Sequence, residues 1–283
     1  MGFAAHARRY LQQGGDVTNV RRPVAAGSFY PGSADALAAT VDELLAAASE
    51  AGRSGVPRGA LRGLIVPHAG YLYSGPVAAT AYRLLPMLVP PPSVVVILGP
   101  SHFEPLDGLA VAPHDAWDTP LGSVSLDDGL RRALVRAGAM VDDRPHLAEH
   151  SIEVQLPFLQ RCLPGVPVVP LAVGACRPTV AAGQLRAALP GSALVLVSTD
   201  LSHYHDDVTA RELDARTAAA IEALDSGQLR SDDACGVDAV RVSLAWARSA
   251  RHRIVRLDLR TSADTAGDRH RVVGYGAFAI VDV

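Results

Sequence analysis

The amino-acid sequence predicts an α/β fold, a three-layer sandwich with a largely parallel or mixed central sheet flanked by helices. Short β-branched runs alternate with longer helical patterns along most of the chain, as in proteins built from βαβ units. The chain has 283 residues, of which 49% are hydrophobic and 19% charged, ample for a packed core. No stretch resembles a linker, so residues 22–283 are predicted to form one domain. Residues 1–21 are polar and aperiodic and are predicted to form a flexible tail.

Seven apolar runs have the length and composition of buried strands. The last two are predicted to pair in antiparallel fashion at one side of the sheet. The predicted strands are residues 61–66, 93–98, 108–112, 166–173, 193–198, 254–261 and 272–281.

The segments between these runs carry helical patterns. The first is alanine-rich, opens at Gly32-Ser33 and extends to about Ser49, with Asp35 favourably placed near its N-terminus. The other predicted helices are residues 75–85, 126–137, 151–163, 180–189, 208–224 and 232–247.

Composition excludes several classes of function. The net charge is −3, which gives no basic field for nucleic acid, and no apolar run is long enough for a membrane helix. All 26 basic residues are arginine. Schiff-base enzymes, pyridoxal-phosphate enzymes and Walker-type nucleotide sites all need a lysine, so none of them is possible. We expect a cytoplasmic protein without nucleic-acid or membrane partners.

Three predicted strands each end just before a histidine. His68 follows the strand ending at residue 66, His102 follows the strand ending at residue 98, and His203 follows the strand ending at residue 198. A single histidine is more often a hydrogen-bonded or solvated residue than a ligand. Parallel strands, however, bring their carboxyl ends together, and imidazole binds zinc, copper, iron or nickel well. The repeated placement therefore favours a metal site.

Other polar residues are candidates for the same pocket. Glu149 and His150 either cap a helix start with Ser151 and Glu153 or line the pocket, and the local sequence leaves both interpretations open. Asp200 is placed to orient His203, as carboxylates orient imidazoles in many sites.

Cys235 lies at or just before a predicted helix start. A helix N-terminus there lowers a thiol pKa and makes thiolate available to a metal. The alternative interpretation is that Cys235 is only a small buried residue.

Several motifs together are similar to those of the Memo family, also described as protein B of the AmmeMemoRadiSam system. The similarity extends over nearly the whole chain from about Arg22. The motifs are RPVAAGSFYPG, PHAGYLYSGPVAATAY, LGPSHFEPLDGLAV, WDTPLGSV, EHSIEVQLPFL, STDLSHY, ACG and VGYGAFAIV. Each is weak alone, but their order makes the resemblance specific.

The resemblance implies a fold like that of the class III extradiol non-haem iron dioxygenases, and a metal pocket. It assigns His68, His102 and Cys235 as metal ligands, with His203 lining the same pocket. The metal it implies is copper or iron, with zinc less favoured. Tyr71 and Ser101 belong to these motifs and are further pocket candidates, although Tyr71 is equally compatible with a core position. The family name also implies companion AMMECR-type and radical-SAM proteins.

One departure from the dioxygenases bears on mechanism. Those enzymes use two histidines and a glutamate, whereas the third ligand here is Cys235, and a thiolate favours softer ions such as Cu(I). The leading hypothesis is a redox-active metal enzyme with an unknown small-molecule substrate, in which His203 transfers a proton and Asp200 orients it. The alternative is a non-catalytic scaffold that binds a protein or peptide at a vestigial pocket. A zinc hydrolase with Glu149 as base ranks last, because no HExxH-like helix is present.

Overall fold

A computed structural model describes residues 19–48, 56, 61–265 and 268–283. The strands in this part of the chain are β1 Val20–Arg21, β2 Leu61–Val66, β3 Val94–Pro100, β4 Leu109–Val111, β5 Ala116–Thr119, β6 Gly122–Ser125, β7 Met140–Val141, β8 Val168–Val173, β9 Ala193–Ser198, β10 His203–His205, β11 His252–Thr261 and β12 Val272–Asp282. The helices are α1 Ala34–Ala47, α2 Tyr71–Tyr82, α3 Asp128–Ala137, α4 Arg144–Leu147, α5 Leu156–Cys162, α6 Pro178–Ala188, α7 Asp207–Glu222 and α8 Val237–Ser249.

Nine of the described strands form one mixed sheet in the order β10-β12-β2-β9-β3-β8-β4-β7, with β11 paired to β12. The centre of this sheet, β2-β9-β3-β8, is parallel throughout. The final two strands, β11 and β12, are antiparallel to each other at one side of the sheet, as predicted. A small separate sheet contains β1, β5 and β6.

Helices cover both faces of the large sheet and produce the three predicted layers. Alternate residues of β3 show this directly, since Val95 and Ile97 pack into one buried cluster with α1, α2 and α5. Val94, Val96 and Leu98 pack into the other with α3, α6, α7 and α8. A strand buried on both faces needs a continuous apolar run, which explains why the sequence shows no polar alternation there.

Helix α2 begins four residues before the predicted start at Gly75. The backbone N–H groups of Tyr73 and Ser74 donate to the Gly70 carbonyl at 2.8 and 3.1 Å, which forms a helical turn before Pro76 is reached. Gly75 therefore lies inside the helix, where an added Cβ would be 2.7 Å from Leu44 Cδ1 of α1. Its small size allows α1 and α2 to pack closely.

The N-terminal part of the domain begins earlier than predicted. Residues 1–18 of the predicted tail lie outside the described residues, but Val20–Arg21 form β1. The Arg21 guanidinium is buried and donates to Glu153 Oε2 at 2.6 Å. Glu153 also accepts the backbone N–H groups of Val24 and Ala25 and the Tyr30 hydroxyl. Glu153 thus binds the N-terminal segment instead of capping a helix.

His146 should make the stability of the fold depend on pH. Its side chain is fully buried, Nε2 donates to the Ala110 carbonyl at 3.2 Å, and burial lowers its pKa to about 4. Below pH 6.5 the unfolded chain therefore binds a proton that the folded chain does not, so stability is lost as the pH falls from 6.5 towards 4. We expect this group to remove about 2 kcal/mol of unfolding free energy between pH 7 and pH 5.

Urea unfolding of the wild type and His146→Gln at both pH values measures this contribution. The variant should lose about 2 kcal/mol less than the wild type over this interval, whatever its absolute stability. An equal loss in the two proteins contradicts the assignment.

Candidate metal centre

The three histidine-bearing segments meet at the carboxyl ends of the central strands. Strands β2, β9 and β3 are neighbours and parallel, so their carboxyl ends lie side by side. The loop after β2 contributes His68, the loop after β3 contributes His102, and the segment after β9 contributes Asp200 and His203. Cys235 reaches the same place from the segment that precedes α8. The topology accordingly brings together residues that are up to 167 positions apart in sequence.

Hydrogen bonds fix the tautomer of His68. Its Nδ1 lies 2.9 Å from Ser198 Oγ. The Ser198 hydroxyl donates its single hydrogen bond to the Ser151 carbonyl at 2.7 Å. Ser198 can therefore only accept from the imidazole, so Nδ1 of His68 carries the ring proton. Nε2 keeps its lone pair and lies 3.1 Å from Cys235 Sγ. Burial lowers the pKa of His68 to about 3, so the imidazole is neutral at physiological pH.

Close backbone approach brings Cys235 to this position. An added Cβ at the next residue, Gly236, would lie 2.8 Å from the Ser198 carbonyl oxygen and 2.9 Å from Thr199. The Cys235 sulfur accepts the backbone N–H of Asp200 at 3.3 Å. Glycine at position 236 is thus required for the segment to lie against the end of β9.

The expectation that a helix N-terminus lowers the thiol pKa is wrong for Cys235. Helix α8 begins at Val237, and burial together with the nearby Asp200 carboxylate raises the pKa of the Cys235 thiol. Loss of hydration raises the pKa of this thiol by more than the nearby helix N-terminus lowers it. A bound cation would reverse this balance, because a coordinating thiol is deprotonated.

Glu149 orients His102. The side chain of Glu149 is 1% exposed, and its Oε2 accepts the His102 backbone N–H at 2.7 Å. Its Oε1 lies 3.0 Å from His102 Nδ1. Burial alone would raise the pKa of Glu149, but the hydrogen bond and charge of His102 lower it to about 2. An ionised carboxylate only accepts, so Nδ1 carries the proton in this arrangement and Nε2 of His102 is left to bind a cation.

His150 lies beside this pair. Its ring stacks on Phe29 with centroids 4.2 Å apart and on His102 with centroids 5.1 Å apart. Its Nδ1 is 3.5 Å from Glu149 Oε1, and burial lowers its pKa to about 4. The predicted pocket residues Glu149 and His150 therefore both contact the cluster.

Asp200 and His203 have hydrogen-bond partners other than each other. Asp200 Oδ1 accepts the backbone N–H groups of His68 at 2.7 Å and Ala69 at 3.2 Å, and burial raises its pKa. His203 Nδ1 donates to the Leu201 carbonyl at 2.7 Å, because a carbonyl oxygen can only accept. Asp200 thus holds the loop that carries His68, and a backbone carbonyl orients His203.

The hydroxyl groups of Tyr71 and Ser101 both donate to backbone carbonyls. The Tyr71 hydroxyl donates to the Val154 carbonyl at 2.6 Å, and its ring packs near Tyr30 and Phe158. Tyr71 therefore belongs to the core and to the wall of an apolar cavity of about 600 Å³. Ser101 donates to the Glu104 carbonyl at 2.6 Å and closes the turn after β3.

The residues present could hold a metal ion. One ligand atom from each of His68, His102 and Cys235 lies within 4.8 Å of the other two. Each imidazole has its Nδ1 engaged by another group, which is how protein metal sites orient histidine ligands. This donor set fits a cation but does not identify which one.

Sequence reasoning missed Ser198, Gln155 and Phe29. Gln155 Nε2 donates to Ser198 Oγ at 2.8 Å, and Ser198 in turn fixes His68. All three occur in the family motifs, but their contacts are with residues far away in sequence. Only the position of Ser198 at the end of a strand before a histidine segment was a usable signal.

Replacing Ser198 with alanine should lower metal affinity by about tenfold. The substitution removes the acceptor that holds the proton on Nδ1 of His68, so the ring is free to adopt the other tautomer. Competition titration with a chelator of known affinity measures the change. Ser93→Ala is the matched control, since Ser93 bonds to Ser192 at the opposite end of the sheet. Equal affinities for the two variants contradict the assigned role.

The chain is similar over most of its length to one family of proteins. A family model described as Memo-like protein matches residues 21–279. A MEMO1 family protein of Metallosphaera sedula is 35% identical and is aligned over 93% of this chain and 99% of its own length. One from Thermotoga maritima is 36% identical over 90% of this chain and 97% of its own length. One from Methanothermobacter thermautotrophicus is 35% identical over 90% and 98%, respectively.

Proposed function

This chain belongs to the Memo-like protein family, and on that premise we propose that it is a redox-active metalloprotein. In this proposal His68, His102 and Cys235 hold copper or iron, and the adjoining pocket admits a small molecule. One observation supports the proposal above all others. The three ligand atoms come from three separate segments of the chain and lie within 4.8 Å of one another. Two imidazoles and a thiol favour a thiophilic transition metal over a hard cation, and copper or iron is the choice that the family resemblance implies.

The residues around the cluster have distinct roles in this proposal. The metal would supply electron transfer and a Lewis-acid position. Glu149 holds His102, and Asp200 holds the His68 loop through two backbone N–H groups. His203, oriented by the Leu201 carbonyl, has its other ring nitrogen available to accept or donate a proton.

Anaerobic purification followed by elemental analysis tests the proposal. We expect about one equivalent of copper or iron for each chain, and oxygen uptake with catechols and a reductant that disappears on metal removal. Zinc is the less favoured metal, and the same elemental analysis distinguishes it. Protein that carries no stoichiometric metal and takes none up contradicts the proposal.

A second candidate is a scaffold that binds a protein or peptide at the carboxyl ends of these strands. Apolar side chains close in sequence to the three histidines are strongly exposed, namely Leu72 at 70%, Phe103 at 60% and Tyr204 at 64%. Such residues occur at protein-binding surfaces. AMMECR-type and radical-SAM proteins are the partners we propose from the family resemblance. A scaffold would bind a partner equally well with and without metal and would consume no oxygen.

None of the helices in the described parts of the chain is long and apolar enough to cross a membrane.

A further inference from the structure

We propose that the apolar cavity of about 600 Å³ between α1 and the start of α2 binds a neutral aromatic molecule. Sites for small molecules have volumes of about 300–1,000 Å³ and are lined mostly by apolar and aromatic side chains, with a few polar groups. None of the three proposed metal ligands lines this cavity. The inference therefore goes beyond the proposed function, since binding here requires no metal.

Three aromatic side chains line the cavity, namely Phe29, Tyr30 and Tyr71. The Tyr71 hydroxyl donates to the Val154 carbonyl at 2.6 Å, and the Tyr30 hydroxyl donates to Glu153 Oε1 at 2.7 Å. Both hydroxyl protons are thus used inside the core, so the two tyrosines offer a ligand ring surface instead of hydrogen-bond donors. Aromatic rings pair favourably with one another in offset or edge-to-face arrangements, which favours an aromatic ligand.

Aliphatic side chains add to this apolar lining. Leu44 of α1 and both Leu72 and Pro76 of α2 border the cavity. Leu72 is 70% exposed, although it is a large apolar residue. A ligand in the cavity would cover part of this exposed surface, and removal of apolar surface from water favours binding.

The charged groups at the cavity favour a neutral ligand over an anionic one. Nε and Nη2 of Arg260 lie 3.0 and 2.8 Å from the Asp258 carboxylate, which balances the charge of the guanidinium. Glu43 also borders the cavity and forms no ion pair with any residue in the described part of the chain. An anion would be repelled by Glu43 and would compete with Asp258 for Arg260, whereas a neutral molecule meets neither cost.

Phe29 connects the cavity to the candidate metal centre. Its ring lines the cavity and also stacks on His150, with centroids 4.2 Å apart. The Tyr71 backbone N–H donates to the Phe29 carbonyl at 2.8 Å, which holds this residue against the start of α2. A ligand in the cavity therefore contacts a ring that itself contacts His150, and NMR signals of the His150 imidazole should report its presence.

Fluorescence titration of the full-length protein with N-phenyl-1-naphthylamine, a neutral dye that brightens in apolar sites, tests the inference. We expect saturable, stoichiometric binding to the wild type. Ala47 is exposed and borders the cavity, so the indole of Ala47→Trp should occupy part of the space and weaken dye binding by at least about tenfold. Ala46→Trp is the matched control, because Ala46 is exposed on the same helix but does not border the cavity. It should bind the dye as the wild type does.

A charged analogue of the dye and NMR of the wild type complete the test. The sulfonated analogue, 8-anilinonaphthalene-1-sulfonate, should bind at least about tenfold more weakly than the neutral dye. The neutral dye should shift the ring signals of His150 and leave those of the exposed His205 unchanged.

Three results would overturn the inference. They are equal dye affinity in Ala47→Trp and Ala46→Trp, unshifted His150 signals at saturation, and sulfonate binding as tight as that of the neutral dye. None of them involves a metal, so the proposed function is tested separately by the elemental analysis.

Discussion

Replacing Cys235 with serine is expected to lower the affinity for Cu(I) by at least about 100-fold. Loss of groups that only orient ligands already costs 10- to 100-fold, and Cys235 is proposed to bind the ion directly. Its sulfur lies 3.1 Å from His68 Nε2, so a serine oxygen would occupy the same place without the affinity of sulfur for Cu(I). Competition with a Cu(I) chelator under anaerobic conditions measures the change.

The other cysteines provide the control. Cys176 is partly exposed and lies outside the cluster, so Cys176→Ser should retain wild-type Cu(I) affinity. With a metal that gives a thiolate-to-metal charge-transfer band, this band should persist in Cys176→Ser and disappear in Cys235→Ser. Unchanged affinity and an unchanged band in Cys235→Ser are incompatible with the proposed ligand set.

Replacing Glu153 with alanine should destabilise the protein by about 3–5 kcal/mol. The change leaves the buried Arg21 guanidinium without its carboxylate and removes the acceptor for the Tyr30 hydroxyl. It also frees the backbone N–H groups of Val24 and Ala25, and this segment leads to Phe29, which stacks on His150. Urea unfolding measures the free-energy difference, and the N-terminal segment should become more sensitive to protease.

An exposed ion pair provides the comparison for this buried one. Arg161 and Asp42 are 43% and 50% exposed and pair at 2.7 Å, so Asp42→Ala should cost at most about 1 kcal/mol. The contrast between the two variants isolates the effect of burial. Similar losses in both would show that the Arg21–Glu153 pair contributes no more than a surface contact.

The fold could be predicted from the sequence because its signals are local. Strands β2 and β9 begin and end where their apolar runs do, since a strand buried on both faces requires such a run. The start of α2 could not be predicted, because proline is common in the first turn of a helix and Pro76 therefore favoured a start near Gly75. The turn that precedes it depends on hydrogen bonds to the Gly70 carbonyl.

The site could be predicted only in part. His68 and His102 were predicted from strand ends, because parallel strands must bring those ends together. The hydrogen bonds that orient these two rings could not be predicted from the sequence, since the bond between Ser198 and His68 joins residues 130 positions apart. The raised pKa of Cys235 was missed for a similar reason. Its burial depends on the packing of the α8 segment against β9, which local sequence does not reveal.

X-ray absorption spectroscopy of the anaerobically copper-loaded protein identifies the atoms that bind the metal. We expect one sulfur neighbour, at the roughly 2.3 Å typical of metal–thiolate bonds, together with imidazole nitrogens. The sulfur contribution should vanish in Cys235→Ser, and the nitrogen contribution should fall in His68→Ala. A copper environment made of nitrogen and oxygen alone would contradict the claim that His68, His102 and Cys235 form the metal centre.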